Sequence, residues 1–151
     1  MDSAIDSLSD SNFPVLVVED DKHDVRFLER AWRINRIPNP LFVVPHGEAC
    51  LQYLRHEGEY GDPGRFPQPG IILMDIRMPV MDGIECLRSI RSDPRLKTLP
   101  VIMLTTSKED RDRLTSYELG CNTFIQKPVD FEGLLTIIQA IQVYWSMAEL
   151  P

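Results

Sequence analysis

The chain is predicted to be an α/β domain built on a doubly wound, five-stranded parallel sheet with five helices. Three observations predict it. Short runs such as Val15-Leu16-Val17-Val18 and Ile71-Ile72-Leu73-Met74 are apolar at every position, as strands covered on both faces are. Segments of helical period separate these runs. The strand–helix alternation recurs five times along 151 residues. Right-handed crossovers then put helices on both faces of the sheet.

The first strand is Phe13 to Val18, too short for a helix, and it stops at Glu19-Asp20-Asp21. Asp21 is a good N-cap for a helix that places Val25, Phe27, Leu28, Ala31, Trp32 and Ile34 on one broad side and ends before Pro38. Leu41 to Val44 is the second strand, and Glu48 to Arg55 a helix with Leu51 and Leu54 inward. Gly70 to Met74 is the third strand, ending at Asp75, followed by a helix from Ile84 to Ile90. Pro100 to Leu104 is the fourth, ending at Thr105-Thr106-Ser107, followed by a helix from Glu109 to Leu119 with Gly120 as its left-handed stop. Thr123 to Gln126 is the fifth, ending at Lys127-Pro128, and a last helix runs from Phe131 to about Met147.

Composition narrows the function. Hydrophobic residues at 43% and charged residues at 26% describe one ordinary globular domain. Sixteen Lys and Arg against 23 Asp and Glu leave a formal charge of −7, which repels phosphate backbones and anionic lipid. Nucleic acid and membrane are therefore not expected partners. The N-terminal MDSAIDSLSDSNF has acids where a secretion signal has basic residues, and no run spans a bilayer, so a cytoplasmic protein is expected. Cys50, Cys86 and Cys121 are odd in number and lack CxxC spacing, as reduced, buried thiols would.

We expect residues 1–12 to form a polar tail and 13–148 a single domain with an extended loop at 57–69. The chain stops four residues after Met147, which predicts no output domain. Loop 57–69 is long for a connection between helix and strand, and Tyr60 and Phe66 are expected to pin it to the body, with contact to a partner as the alternative. In the last helix Leu134, Ile138, Ile141 and Trp145 form one apolar stripe, and Ile137, Ala140, Tyr144 and Met147 another. One stripe covers the sheet; the other suggests a homodimer through the last helix and the adjacent strand.

In doubly wound sheets ligands bind outside the carboxyl ends of the strands. Four exits here carry Glu19-Asp20, Asp75, Thr105 and Lys127, which should converge. Clustered carboxylates repel one another, and a hard divalent cation such as Mg²⁺ resolves the conflict with oxygen ligands. No nearby His or Cys favours zinc. Asp75 can act as a nucleophile that carries a phosphoryl group as an acyl phosphate. The equatorial oxygens then need neutralising, by the cation and by Lys127, with a hydrogen bond from Thr105. Taken singly, Glu19-Asp20-Asp21 is a helix cap, Lys127 a surface lysine and Thr105 a strand-end hydroxyl bonded to backbone. Their joint order favours the chemical reading.

Glu19-Asp20, Asp75 with Met78-Pro79 and Met81-Asp82-Gly83, Thr105, and Lys127-Pro128 together resemble the CheY-like receiver domain of two-component response regulators, over about residues 14–148. The resemblance implies strand order 2-1-3-4-5 and phosphorylation of Asp75 by a sensor histidine kinase. It implies Asp20, Asp75 and the backbone carbonyl of Arg77 as Mg²⁺ ligands, with Glu19 acting through water. Thr105 and Lys127 would bind the phosphoryl group, and Phe124 would be the switch aromatic. Arg77 and Ser107 would flank the path of the hydrolysing water. The loop insertion is further similar to the small response regulators paired with bacterial and cyanobacterial phytochromes. Such a receiver acts by protein contact, with a phosphate sink or phosphorelay intermediate as the alternative role. A phosphatase using Asp75 is disfavoured, because Arg77 stands where aspartyl hydrolases place a second Asp. No GxGxxG or GxxxxGK[ST] supports nucleotide binding.

Overall fold

A computed structural model of the chain describes residues 13–105, 107–116, 123–127, 132, 133, 135–137 and 139. Its centre is three strands buried at every position: β1 (Val15–Val18), β3 (Ile71–Asp75) and β4 (Val101–Thr105). β2 (Leu41–Val44) flanks β1, and β5 (Thr123–Gln126) flanks β4. The order is β2-β1-β3-β4-β5, the order that the resemblance implies, with every pairing parallel.

Successive strand side chains point to opposite faces, and the apolar runs supply both. Leu16, Val18, Ile72 and Met74 pack on one face with Cys50 and Leu54 of α2 (Gly47–Arg55) and with Ile84, Leu87 and Ile90 of α3 (Gly83–Ser92). Val15, Val17, Ile71 and Leu73 pack on the other with Leu28, Ala31 and Trp32 of α1 (Lys22–Ile34) and with Ile137. Each large apolar side chain so removed from water contributes roughly 1.5–3 kcal/mol, which makes the double-sided sheet the organising element. α4 (Lys108–Ser116) follows β4, and residues 132, 133, 135–137 and 139 are helical, within the expected fifth helix. Ile137 is fully buried among the residues of that second face. The stripe of Leu134, Ile138, Ile141 and Trp145, the remaining members of the Ile137 stripe, and with them the expected dimer surface, lie outside the described residues, as do Gly120 and Cys121.

The helix starts are set by caps. Asp21 accepts from the backbone N–H of His23 (2.8 Å) and Asp24 (3.2 Å), as expected. His46 Nδ1 accepts from Ala49 N–H, and Asp82 Oδ1 from Glu85 N–H, so α2 and α3 each begin one residue before the expected start. The buried side of α1 is narrower than its sequence suggests. Leu28, Ala31 and Trp32 are buried, whereas Phe27 and Ile34 are exposed. They sit at the margins of the apolar arc, and a helix laid flat on a sheet covers only its centre.

The loop at 57–69 is pinned as expected. Tyr60 and Phe66 pack on Tyr53 of α2 at ring-centre distances of 5.6 and 5.8 Å, and on each other at 5.2 Å. Tyr53 donates from its hydroxyl to the Pro67 carbonyl (2.9 Å), and the His56 ring bonds the Phe66 carbonyl. Cys50 and Cys86 are buried free thiols. Among the described residues no helix is long and apolar enough to cross a membrane.

Candidate functional site

The strand exits converge. Glu19 follows β1, Asp75 ends β3, Thr105 ends β4, and Lys127 follows β5, each held by main-chain bonds that extend the ladder. Glu19 N–H donates to Val44 O (3.0 Å), Ile76 N–H to Leu104 O (3.2 Å), and Lys127 N–H to Thr105 O (3.0 Å). One carboxylate oxygen from each of Glu19, Asp20 and Asp75 lies within 4.8 Å of the other two. Glu19 and Asp75 are buried, and Asp20 is exposed.

Gly83 lets the start of α3 lie against this edge. Its N–H donates to Ile76 O (2.7 Å), and a Cβ there would stand 2.3 Å from the Asp75 carbonyl oxygen. Between Pro79 and Met81 the loop passes through Val80, an exposed β-branched residue at φ 69°, in the left-handed region such side chains avoid.

Lys127 reaches into the acids from the far strand. Its ammonium donates to Glu19 Oε1 and to Asp75 Oδ2 (3.0 Å), and forms an ion pair with Asp24 Oδ2 at 2.9 Å. Burial works against its charge, but the three carboxylates outweigh burial and hold its pKa above that of an ordinary lysine. Burial, then a hydrogen bond shared with Asp75, push the Glu19 carboxyl up to about 9 against the opposing pull of Lys127. One ammonium does not satisfy both buried acids. Glu19 Oε2 is buried with no hydrogen-bond partner. An orphaned oxygen amid a carboxylate trio with oxygen-only donors fits a hard divalent cation.

Thr105 is at the site, but its hydroxyl is engaged by its own loop. It donates to the Ser107 carbonyl (3.0 Å) and accepts from the Ser107 N–H (3.3 Å), the backbone-bonded alternative for a strand-end threonine. Half-buried Phe124 lines a cleft of about 190 Å³ with Thr105, Ser107, Lys108, Arg111 and Gln126. Arg77 turns to α4. Its Nε and a terminal nitrogen donate to the two oxygens of buried Asp110 at 2.9 and 3.1 Å. Arg113 lies 3.5 Å from Asp110 and 3.6 Å from Asp82, and so ties the loop after β3 to the same helix.

Sequence reasoning missed Asp24 and Asp110. Asp24 stands four residues after Asp20 in the first turn of α1, a spacing that could have flagged a further acid on that side. For Asp110 the signal is weaker: Ser107 caps its N–H at a spacing of three, which says helix start and nothing of Arg77.

A doubly wound parallel sheet whose carboxyl edge gathers three acids, a hydroxyl and an ammonium places the chain among the α/β domains that bind their ligands at that edge. The chain belongs to the response regulator receiver domain family, whose model matches residues 15–139. It is 35% identical over 141 residues to Response regulator Rcp1 of Synechocystis, covering 91% of this chain and 94% of that protein. The crystal structure of the phosphorylated cyanobacterial phytochrome response regulator RcpA is 34% identical and superposes with a TM-score of 0.73, covering 92% of this chain and 97% of that one. The Mn²⁺-bound form of Rcp1 is likewise 34% identical, with a TM-score of 0.71, covering 88% and 94%.

Proposed function

We propose that this receiver takes a phosphoryl group onto Asp75 from the phosphohistidine of a sensor histidine kinase and signals through protein contacts. The observation that carries the reading is the Lys127 ammonium 3.0 Å from Asp75 Oδ2, beside a carboxylate trio with an unsatisfied buried oxygen. In the transfer an Asp75 oxygen forms the new bond to phosphorus, the phosphorus–nitrogen bond breaks, and the imidazole leaves with the electron pair. Glu19, Asp20, Asp75 and the Arg77 carbonyl would hold Mg²⁺. When bound, the cation supplies charge neutralisation for the acids and the phosphoryl oxygens. Lys127 offers a fixed point charge to the same oxygens. Thr105 must exchange its bond to Ser107 for one to the phosphoryl group, and Phe124, beside it in the cleft, is the side chain placed to follow.

The likeness to RcpA, a phytochrome response regulator, supports a phytochrome-type kinase as the donor. Action in the cytoplasm and a homodimer through the last helix and adjacent strand belong to the same proposal. The deciding experiment incubates the protein with Mg²⁺ and a small acyl phosphate and locates the label by mass spectrometry. An acid-stable, base-labile phosphate on Asp75, absent from Asp75→Asn, supports the reading; an unlabelled protein at saturating Mg²⁺ overturns it. Sedimentation across a concentration series, with and without phosphorylation, tests the dimer, and monomer throughout removes it.

A further inference from the structure

We infer that Asp24 is a positioning residue that holds Lys127 in the unphosphorylated state and competes with the incoming phosphoryl group for its ammonium. The inference rests on the proposed phosphorylation of Asp75. A lysine ammonium has three N–H donors. Two are spent in hydrogen bonds to Glu19 and Asp75, and the Asp24 carboxylate stands 2.9 Å from the nitrogen as an ion pair on the remaining side. A phosphoryl oxygen on Asp75 can therefore close on the Lys127 ammonium only where one of these three carboxylates gives way.

The three are not equally easy to give up. The Glu19 side chain is 3% exposed and that of Asp75 8%, so water does not readily replace a bond lost from either. The Asp24 side chain is 37% exposed, and water replaces the lost bond at once. Asp24 also sits in the first turn of α1, where the N-terminal N–H groups favour its charge whether or not Lys127 is present. It is the partner that yields.

The test measures initial rates of Asp75 labelling by a small acyl phosphate at saturating Mg²⁺. Asp24→Ala is expected to label about three- to fivefold faster than the unaltered protein, the span of one partly exposed ion pair. Asp24→Asn, which keeps the fold of the helix start, is expected to shift in the same direction. Asp24→Glu, which restores the charge, is expected to return toward the parent rate. Glu29→Gln removes one charge from the exposed side of the same helix and controls for bulk electrostatics; it is expected to label at the parent rate. A readout free of metal and chemistry is the ¹⁵N signal of the Lys127 ammonium, expected to move in Asp24→Asn and not in Glu29→Gln. Equal or slower labelling in both Asp24→Ala and Asp24→Asn overturns the inference, as does equal acceleration by Glu29→Gln or an unmoved Lys127 signal. If the parent protein itself is not labelled on Asp75, the receiver reading fails and takes this inference with it. A labelled parent with an indifferent Asp24 sinks the inference alone.

Discussion

Replacing Gly83 by alanine should unsettle the strand that carries Asp75. The added Cβ would stand 2.3 Å from the Asp75 carbonyl oxygen, 2.9 Å from Ile76 Cα and 3.1 Å from the Asp75 carbonyl carbon. Ordinary carbon–oxygen contact requires about 1 Å more than the first of these. The atoms in the way are backbone and cannot rotate aside. That backbone is itself fixed, by Ile76 N–H to Leu104 O and by the 2.7 Å bond from Gly83 N–H to Ile76 O. Overpacking against rigid surroundings costs about 1–3 kcal/mol, and alanine at a helix position returns at most about 1 kcal/mol. The net expectation is a loss of about 1 kcal/mol. With a urea dependence of about 2 kcal/mol/M, the unfolding midpoint followed by far-ultraviolet circular dichroism should fall by about 0.5 M. Labelling of Asp75 should slow as well, because the displaced peptide bears the acceptor. Gly64→Ala is the control: its nearest neighbour is the Asp62 carboxylate at 3.2 Å in an exposed loop, which can swing away. A Gly83→Ala midpoint within about 0.2 M of the parent would show that the close approach does not constrain the site.

Val80→Asn should stabilise by about 1 kcal/mol in the same urea assay, since asparagine tolerates the left-handed backbone that a β-branched side chain resists; an unchanged midpoint refutes strain at that position. Burial raises the Tyr53 hydroxyl from an ordinary 10 to about 12. The folded form therefore holds this proton more tightly than the unfolded chain, so stability is intact below pH 10 and declines as pH rises toward 12. The slope should exceed that of Tyr53→Phe by roughly 1.4 kcal/mol per pH unit, and parallel slopes refute the assignment. Arg77→Ala should leave Asp75 labelling intact but speed decay of the phosphoprotein, because losing the clasp on Asp110 opens the edge of the site to water; identical decay rates would exclude it.

Much of this architecture was legible because it depends on local composition. Runs such as Val15 to Val18 are apolar on both faces, and only a sheet between two helical layers uses such a run. Topology then brings Glu19, Asp75, Thr105 and Lys127 to one edge, so residues 108 apart in sequence could be placed together from their position after a strand. Asp24 and Asp110 were not legible in this way. Each is an acid in a first helical turn, a common place for one, and its importance lies in which cation reaches it across the fold. Phe27 and Ile34 were misjudged for a related reason. A helical wheel reports which residues share a side, while the curvature of the surface beneath decides how much of that side is covered. The Thr105 hydroxyl has two competent partners, and sequence does not choose between them.

The aromatic clasp of Tyr53, Tyr60 and Phe66 has a practical consequence. Between the two loop rings, Gly61 to Arg65 forms a small exposed promontory fastened at both feet. It precedes β3, so it stands at the end of the sheet opposite the acids. A dye or short tag grafted onto that promontory would ride on a rigid mount, remote from the chemistry, and would report tumbling and encounters of the whole molecule without disturbing the residues it is meant to watch.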